Sequence, residues 1–243
     1  MITEPLHQIT VGKLVVNIVR KDIKNLHLGV YPPDGRLHIA APLTVTDDAI
    51  RLLVVSKLAW IKKQVAQFEG QQRQSKRQYV SGESHYLKGQ RYLLNVIYHN
   101  AAPKVIIRNK TYIDLYVRVG SSEEKRQEVM TEWYRQHLKE QIPVLVDKWQ
   151  PVIGVEVRAW GIKQMKTKWG TCSIAAQRIW LNLNLAQKPE HCLEYIVVHE
   201  MVHLLERHHN DQFTAYMDKF MPPWRNYRDE LNQFLLNHSD WSY

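Results

Sequence analysis

The segment VVHEMVHLLERHH, residues 197–209, sets four histidines and two glutamates into what otherwise reads as an apolar helical run. His199 and His203 stand four residues apart, so on a helix they share one face, with Glu200 beside them. Burying a carboxylate and two imidazoles is costly unless they are paired, protonated or bound to a metal. Two readings compete. One is a buried His/Glu hydrogen-bond network that satisfies itself. The other is a zinc site, in which both histidines ligate one tetrahedral ion and Glu200 takes a proton from metal-activated water. The flanks favour zinc: the residues before His199, between Glu200 and His203 and just beyond are apolar, and no proline interrupts the motif.

A catalytic zinc ordinarily has three protein ligands and an open position for water. His209, six residues past His203, is the expected third ligand, with one ion per chain. An uninterrupted helix would carry it roughly 9 Å beyond His203, so the chain is expected to leave the helix near Glu206 and Arg207 and fold back. His208 is the rival ligand, and a downstream carboxylate, Asp218 or Glu230, is a further alternative. The spacing equals that of the metzincin pattern H-E-x-x-H-x-x-G-x-x-H, but Glu206 stands where that pattern has its glycine. Charge developing in a transition state needs a donor beyond the metal, and Lys168, Arg178, His208 and Tyr216 are candidates. Trp169 and Gly170 are expected to shape the rim of the cleft, and Asp211 to cap the following helix.

Several elements must position these residues. Pro189 and Glu190 suit the first turn of a helix. From Cys192 onward Leu193, Ile196, Val197, Val198, Met201, Val202, Leu204 and Leu205 leave almost no polar face, so this helix is expected to be buried nearly all round. RIWLNLNLAQ (178–187) precedes it, with Ile179, Leu181, Leu183 and Leu185 alternating against Trp180, Asn182 and Asn184. This predicts a strand whose edge could bind a peptide by strand addition, with Asn182 and Asn184 on its substrate-facing side. Downstream, Phe213, Met217 and Phe220, then Leu231, Phe234 and Leu235 after MPPW, read as core.

The front of the chain is different. Residues 9–21, 24–33 and 35–42 predict a small antiparallel meander, turning at Pro32, Pro33, Asp34 and Gly35. Thr46, Asp47 and Asp48 open one long helix with Ile50, Val54, Leu58, Ile61, Val65 and Phe68 on its apolar stripe. Strands are expected again in residues 89–100, 103–109 and 110–120, with a turn at Asn109 and Lys110. A Ser-capped helix follows in 121–150 and is expected to kink or end at Pro143. No internal sequence repeat is evident. The division is set near residue 120: a basic β-rich region over 1–120 and a second domain over 121–243.

The formal charge of +9 belongs to the first region, where 18 Lys and Arg face 8 Asp and Glu, against 15 and 16 in the remainder. Such an excess attracts polyanions, nucleic acid or nucleotides among them; Arg73, Lys76 and Arg77 lie in a polar, Gln-rich connection over 69–78. No run is long and apolar enough for a membrane span, and the amino terminus has no secretory layout, so a cytoplasmic protein is expected. Two cysteines, Cys172 and Cys192, are too few for a disulfide framework and read as buried free thiols.

The runs MKTKWGTCS (165–173), RIWLNLNL (178–185) and YIVVHEMVHLLERHHNDQF (195–213) together resemble the YgjP-like metallopeptidase family. TDDAIRLLVVSKLAWIKKQ (46–64) and SGESHYLKGQRYLL (81–94) resemble its front half. The departures are Thr171 in place of the commoner Ser and Thr214 where Trp often follows Phe. The resemblance implies zinc ligands at His199, His203 and His209, a catalytic Glu200, and a relation to SprT-like proteases that act near DNA. The expected fold is α+β: an antiparallel β-rich front region with one long helix, then a zincin-like α/β metallopeptidase domain with a buried HExxH helix. The expected function is zinc-dependent hydrolysis of a protein or peptide, without a membrane partner. A nucleotide phosphoanhydride hydrolase and a non-enzymatic zinc-containing DNA-binding or adaptor module are the alternatives. An intact Glu200 speaks against the last, since a structural zinc needs no base.

Overall fold

The computed structural model describes residues 7–31, 35–69, 77–165 and 168–233. The turn residues Pro32, Pro33 and Asp34, the basic residues Arg73 and Lys76, the side chain of Phe68, and Phe234 and Leu235 lie outside them. Two compact units part between residues 74 and 75 rather than near residue 120. The sheet formed by residues 84–117 therefore belongs to the same unit as the HExxH segment.

In the first unit β1 (His7–Val11), β2 (Leu14–Lys21), β3 (His27–Tyr31) and β4 (Arg36–Pro42) form a sheet of order β1-β2-β4-β3. This is not the expected antiparallel meander, because β2 and β4 pair in parallel, from Val16 opposite Leu37 to Lys21 opposite Pro42. Burial explains the order. β4 buries Leu37, Ile39 and Ala41 and takes an interior position, whereas β3 lies at the edge. The expected single helix is two, α1 (Asp47–Ser56) and α2 (Leu58–Glu69). Thr46 caps α1 through its hydroxyl, which accepts from the Ala49 N–H at 3.3 Å. The apolar stripe continues across the break at Lys57, since Ile50, Val54 and Ile61 are all buried against Val16, Ile18 and Ile39 in one core.

The second unit opens with β5 (Ser84–Leu87), β6 (Gln90–Tyr98), β7 (Lys104–Ile107) and β8 (Tyr112–Val117), in the order β5-β6-β8-β7, again with a parallel inner pair. The β7–β8 turn is held by Asn109, whose side-chain oxygen accepts from the N–H groups of Thr111 and Tyr112 at 2.8 and 2.9 Å. Helix α3 (Glu123–Ile153) is capped by Ser122 and runs on through Pro143 and Pro151 to a left-handed Gly154 at φ 79°. Pro143 does not end it: Tyr134, Leu138, Ile142 and Val146 form a buried stripe on both sides of the proline.

A three-stranded sheet of order β10-β11-β9 follows, from β9 (Ala159–Lys163), β10 (Gly170–Ser173) and β11 (Arg178–Asn182). The predicted strand stops at Asn182. There the Asn182 side chain accepts from the Asn184 N–H at 3.1 Å and starts a short 3-10 helix, Leu183–Gln187. Helix α4 (Glu190–Val202) packs on β10, β11 and α3, and against α5 (Asp211–Phe220) and α6 (Trp224–Gln233). The fold is thus mixed α+β, with six α-helices and three mixed sheets among the described residues. No described helix is long and apolar enough to cross a membrane.

Candidate metal centre

From Tyr195 to Val202 every residue of α4 is buried, His199 and Glu200 included, and His203 forms the C-cap. The chain leaves the helix here, before the expected Glu206 and Arg207. The Leu204 and Leu205 N–H groups turn back onto Met201 O and Val202 O at 3.0 and 2.9 Å, a tighter span than an α-helical bond. The early exit brings His209 home. Its Nε2 lies 3.1 Å from His199 Nε2 and 3.0 Å from His203 Nε2. Asn210, rather than Asp211, caps α5, accepting from the Phe213 N–H at 3.0 Å. This first turn sets Phe213 against all three imidazoles, at centroid distances of 4.9, 4.8 and 4.7 Å from His199, His203 and His209.

Three ring nitrogens aimed at one another gain little as hydrogen bonds, because each neutral ring carries a single N–H. For His203 that proton is placed: Nδ1 donates to the Glu206 carbonyl at 3.1 Å, which leaves Nε2 as a lone pair. Burial and the mutual charge of the other rings hold His199 well below the usual imidazole range, and burial with the neighbouring histidines takes His209 down to about 4. His203 is lowered too, chiefly by burial. Neutral imidazoles are the metal-binding form. The observed 3.0 and 3.1 Å separations are slightly tighter than the roughly 3.4 Å edge of a tetrahedron with bonds of about 2.1 Å. The donor set fits a tetrahedral, borderline-soft divalent cation such as zinc, with a corner to spare.

Glu200 is walled by β10. A Cβ on Gly170 would fall 2.5 Å from Glu200 Oε1 and 2.7 Å from its Cγ, so glycine alone lets the strand pass this close. Burial raises the Glu200 carboxyl to about 8, and the charge of Lys168 opposes the rise. Cys172, two residues along β10 from Gly170, is pushed up to about 12 by burial and by the Glu200 charge. Nothing local in the sequence places Gly170 or Cys172 beside Glu200. For Phe213 behind the imidazoles, an aromatic four residues past His209 is the available signal.

Other predicted residues fall elsewhere. Trp169 does not line a rim; it is one of the largest fully buried side chains. Asn182 is fully buried and tied to the main chain, donating to Met165 O and Lys168 O at 2.9 and 2.7 Å, so it shapes the approach to β10 and does not face a substrate. Asn184 accepts from the Gln164 side chain at 3.3 Å. Arg178 pairs with Ser173 at the end of β10 away from Gly170, Tyr216 stacks on Phe220, and His208 is exposed. The alternative carboxylate ligands are engaged away from the three histidines: Asp218 with Arg225 and Trp224, Glu230 with His191. Arg77 does not offer an open phosphate contact either. Its guanidinium contacts His85 Nδ1 at 2.7 Å and Gln187 Oε1 at 3.4 Å.

One buried glutamate next in the chain to one of three converging imidazoles is an arrangement suited to metallohydrolase chemistry, and the family match gives that class. The chain belongs to the YgjP-like metallopeptidase family, whose metallopeptidase domain matches residues 24–234. Family membership makes it a metallohydrolase of the peptidase type and implies a divalent metal, usually zinc. Two solved metallopeptidase zymogens are distant neighbours. Abylysin of Pyrococcus abyssi is 20% identical, with a TM-score of 0.35 over 37% of this chain and 90% of its own. Jannalysin of Methanocaldococcus jannaschii is 21% identical, with a TM-score of 0.34 over 38% of this chain and 94% of its own. A search of curated proteins gave no match.

Proposed function

We propose that the protein is a zinc-dependent peptidase of zincin type, with one ion held by His199, His203 and His209 and with Glu200 as its proton carrier. The observation that carries this reading is the meeting of three Nε2 atoms at 3.0 and 3.1 Å. Bound there, zinc would supply Lewis acidity and bring the pKa of a water toward about 7.

The remaining chemistry falls to the chain, within residues 121–243. Glu200 takes the proton of the attacking water on its carboxylate and returns it to the leaving amine. Burial favours its protonated form and a bound dication opposes that preference, which leaves the group able both to accept and to give. Phe213 keeps water from the backs of the imidazoles and fixes their planes. Of the four proposed transition-state donors, Lys168 alone acts on the Glu200 charge, which favours it over Arg178, His208 and Tyr216.

The substrate strand cannot add to β11, which already pairs with β10 on one side and β9 on the other. The edge available to an extended peptide beside Glu200 is β10, where main-chain pairing would give affinity without demanding a sequence. The basic excess of residues 1–120 remains our reason to include a nucleic acid in the test.

The test is a side-by-side hydrolysis assay of wild type and Glu200→Gln on unfolded protein and on nucleoside triphosphates, with and without DNA. Proteolysis that disappears in the variant while metal is retained is the expected result. Triphosphate hydrolysis with no proteolysis would transfer the site to phosphoanhydrides, and equal inactivity of both proteins, with zinc bound, would leave a structural metal.

A further inference from the structure

A second set of metal-type donors lies at the opposite end of α4. His191 and Cys192 occupy its first turn, and Glu230 reaches them from α6. One ligand atom from each, an imidazole nitrogen, the thiol sulfur and a carboxylate oxygen, lie within 4.8 Å of one another. His191 Nε2 is 2.5 Å from Glu230 Oε2. The ring of Tyr227 lies 4.9 Å from the His191 ring at 38°, restricting its rotation. Cys192 is buried, whereas the His191 and Glu230 side chains are 38% and 39% exposed, so the group opens to water on one side.

A hydrogen bond between neutral imidazole and carboxylate explains His191 and Glu230 but gives no part to the sulfur. Nitrogen, sulfur and oxygen on one point make a donor set for a borderline-soft cation, which prefers thiolate and imidazole to oxygen alone. We propose that His191, Cys192 and Glu230 form a second site for a thiophilic divalent cation, completed by water, which clamps α6 to the start of α4. Closing the triad on one ion shortens separations of up to 4.8 Å to roughly 3.3–3.7 Å, a change that the half-exposed Glu230 side chain can supply. Binding releases the thiol proton to solvent and converts the sulfur to thiolate; no electrons are transferred. Because that proton must leave and the His191–Glu230 pair must open, this site is weaker than the three-imidazole centre and fills only when metal is added. The inference stands independently of the peptidase reading.

The experiment uses the full chain carrying His203→Ala, titrated with cobalt(II) under non-thiol reducing conditions. Nitrogen and oxygen ligands give no thiolate-to-cobalt charge-transfer absorption in the near ultraviolet, so that band reports sulfur. The expected result is a saturable band at about one cobalt per chain, retained with Cys172→Ser and lost with Cys192→Ser. Glu230→Ala and His191→Ala, at half-exposed positions that should not disturb folding, are expected to weaken cobalt binding by roughly tenfold or more. No band, a band that follows Cys172, or a band unaltered by the Glu230 and His191 variants would overturn the proposal.

Discussion

The second unit buries ionisable side chains around His85 and around His199, and surrounds them in different ways. His85 is met by its own chain. Nδ1 accepts from Arg77 at 2.7 Å with the Tyr134 hydroxyl 3.4 Å away, and Nε2 stands 3.2 Å from Glu83 Oε1. At the other cluster the imidazole nitrogens face one another, and Glu200 faces the backbone of Gly170. His85 is thus anchored by its own chain through Nδ1, while its Nε2 lies near Glu83 Oε1 without a hydrogen bond to it. The three imidazole nitrogens that meet at His209 are, in the function proposed above, held together by a cation. On that reading the same residue type serves stability in one place and chemistry in the other, with His199 as deeply buried as His85 and His209 exposed.

Removing a convergent ligand should break this contrast most sharply. His203→Ala is expected to lose the zinc, about one per chain, that the purified wild type carries, and all turnover with it. Elemental analysis beside urea unfolding checks this; the metal-free variant should unfold no more readily than metal-free wild type. Glu200→Gln comes next, keeping its metal while kcat falls by about 10²–10⁴-fold, measured by metal content and steady-state rates. Gly170→Ala should keep metal too, but its Cβ displaces the Glu200 carboxylate, and about a hundredfold loss in kcat is expected. A Gly170→Ala protein of normal rate would show that the close approach is incidental.

The smallest effect belongs to the His85 cluster and is one of stability alone. Burial, and then the Arg77 charge, push His85 down to about 3 from its ordinary 6.5. The unfolded chain thus binds a proton that the folded ring refuses, and the sign follows: the His85 contribution is complete above pH 6.5 and is lost as pH falls from there toward 3. His85→Gln should flatten that part of the stability–pH curve in urea titrations, cost about 1–3 kcal/mol near neutrality, and leave metal content and turnover unchanged.

Much of the centre was legible because its signal is local. Spacings of four and six residues around a glutamate are chemistry written in one short segment, and His199, Glu200, His203 and His209 emerge from it directly. The end of α4 at Val202 was not legible, since Leu204 and Leu205 favour helix and no glycine or proline announces the tighter turn. Asn182 misled for a related reason. In an alternating strand it reads as a polar, outward residue, yet it is buried and satisfies the Met165 and Lys168 carbonyls. Gly170 against Glu200 and the parallel pairing of β2 with β4 are long-range contacts, and a single sequence carries no register for those.

The shared strand order of the two four-stranded sheets bears on how each is assembled. In both, a local hairpin must form and then slot its second strand beside an earlier one, which closes a loop before any reward is collected. The outermost strand of the first pair is consequently a shield. If a protease or a truncation stripped away β1, the hydrogen-bonding edge of β2 would be bared, and an interior ribbon rich in valine would become a template for self-association between copies.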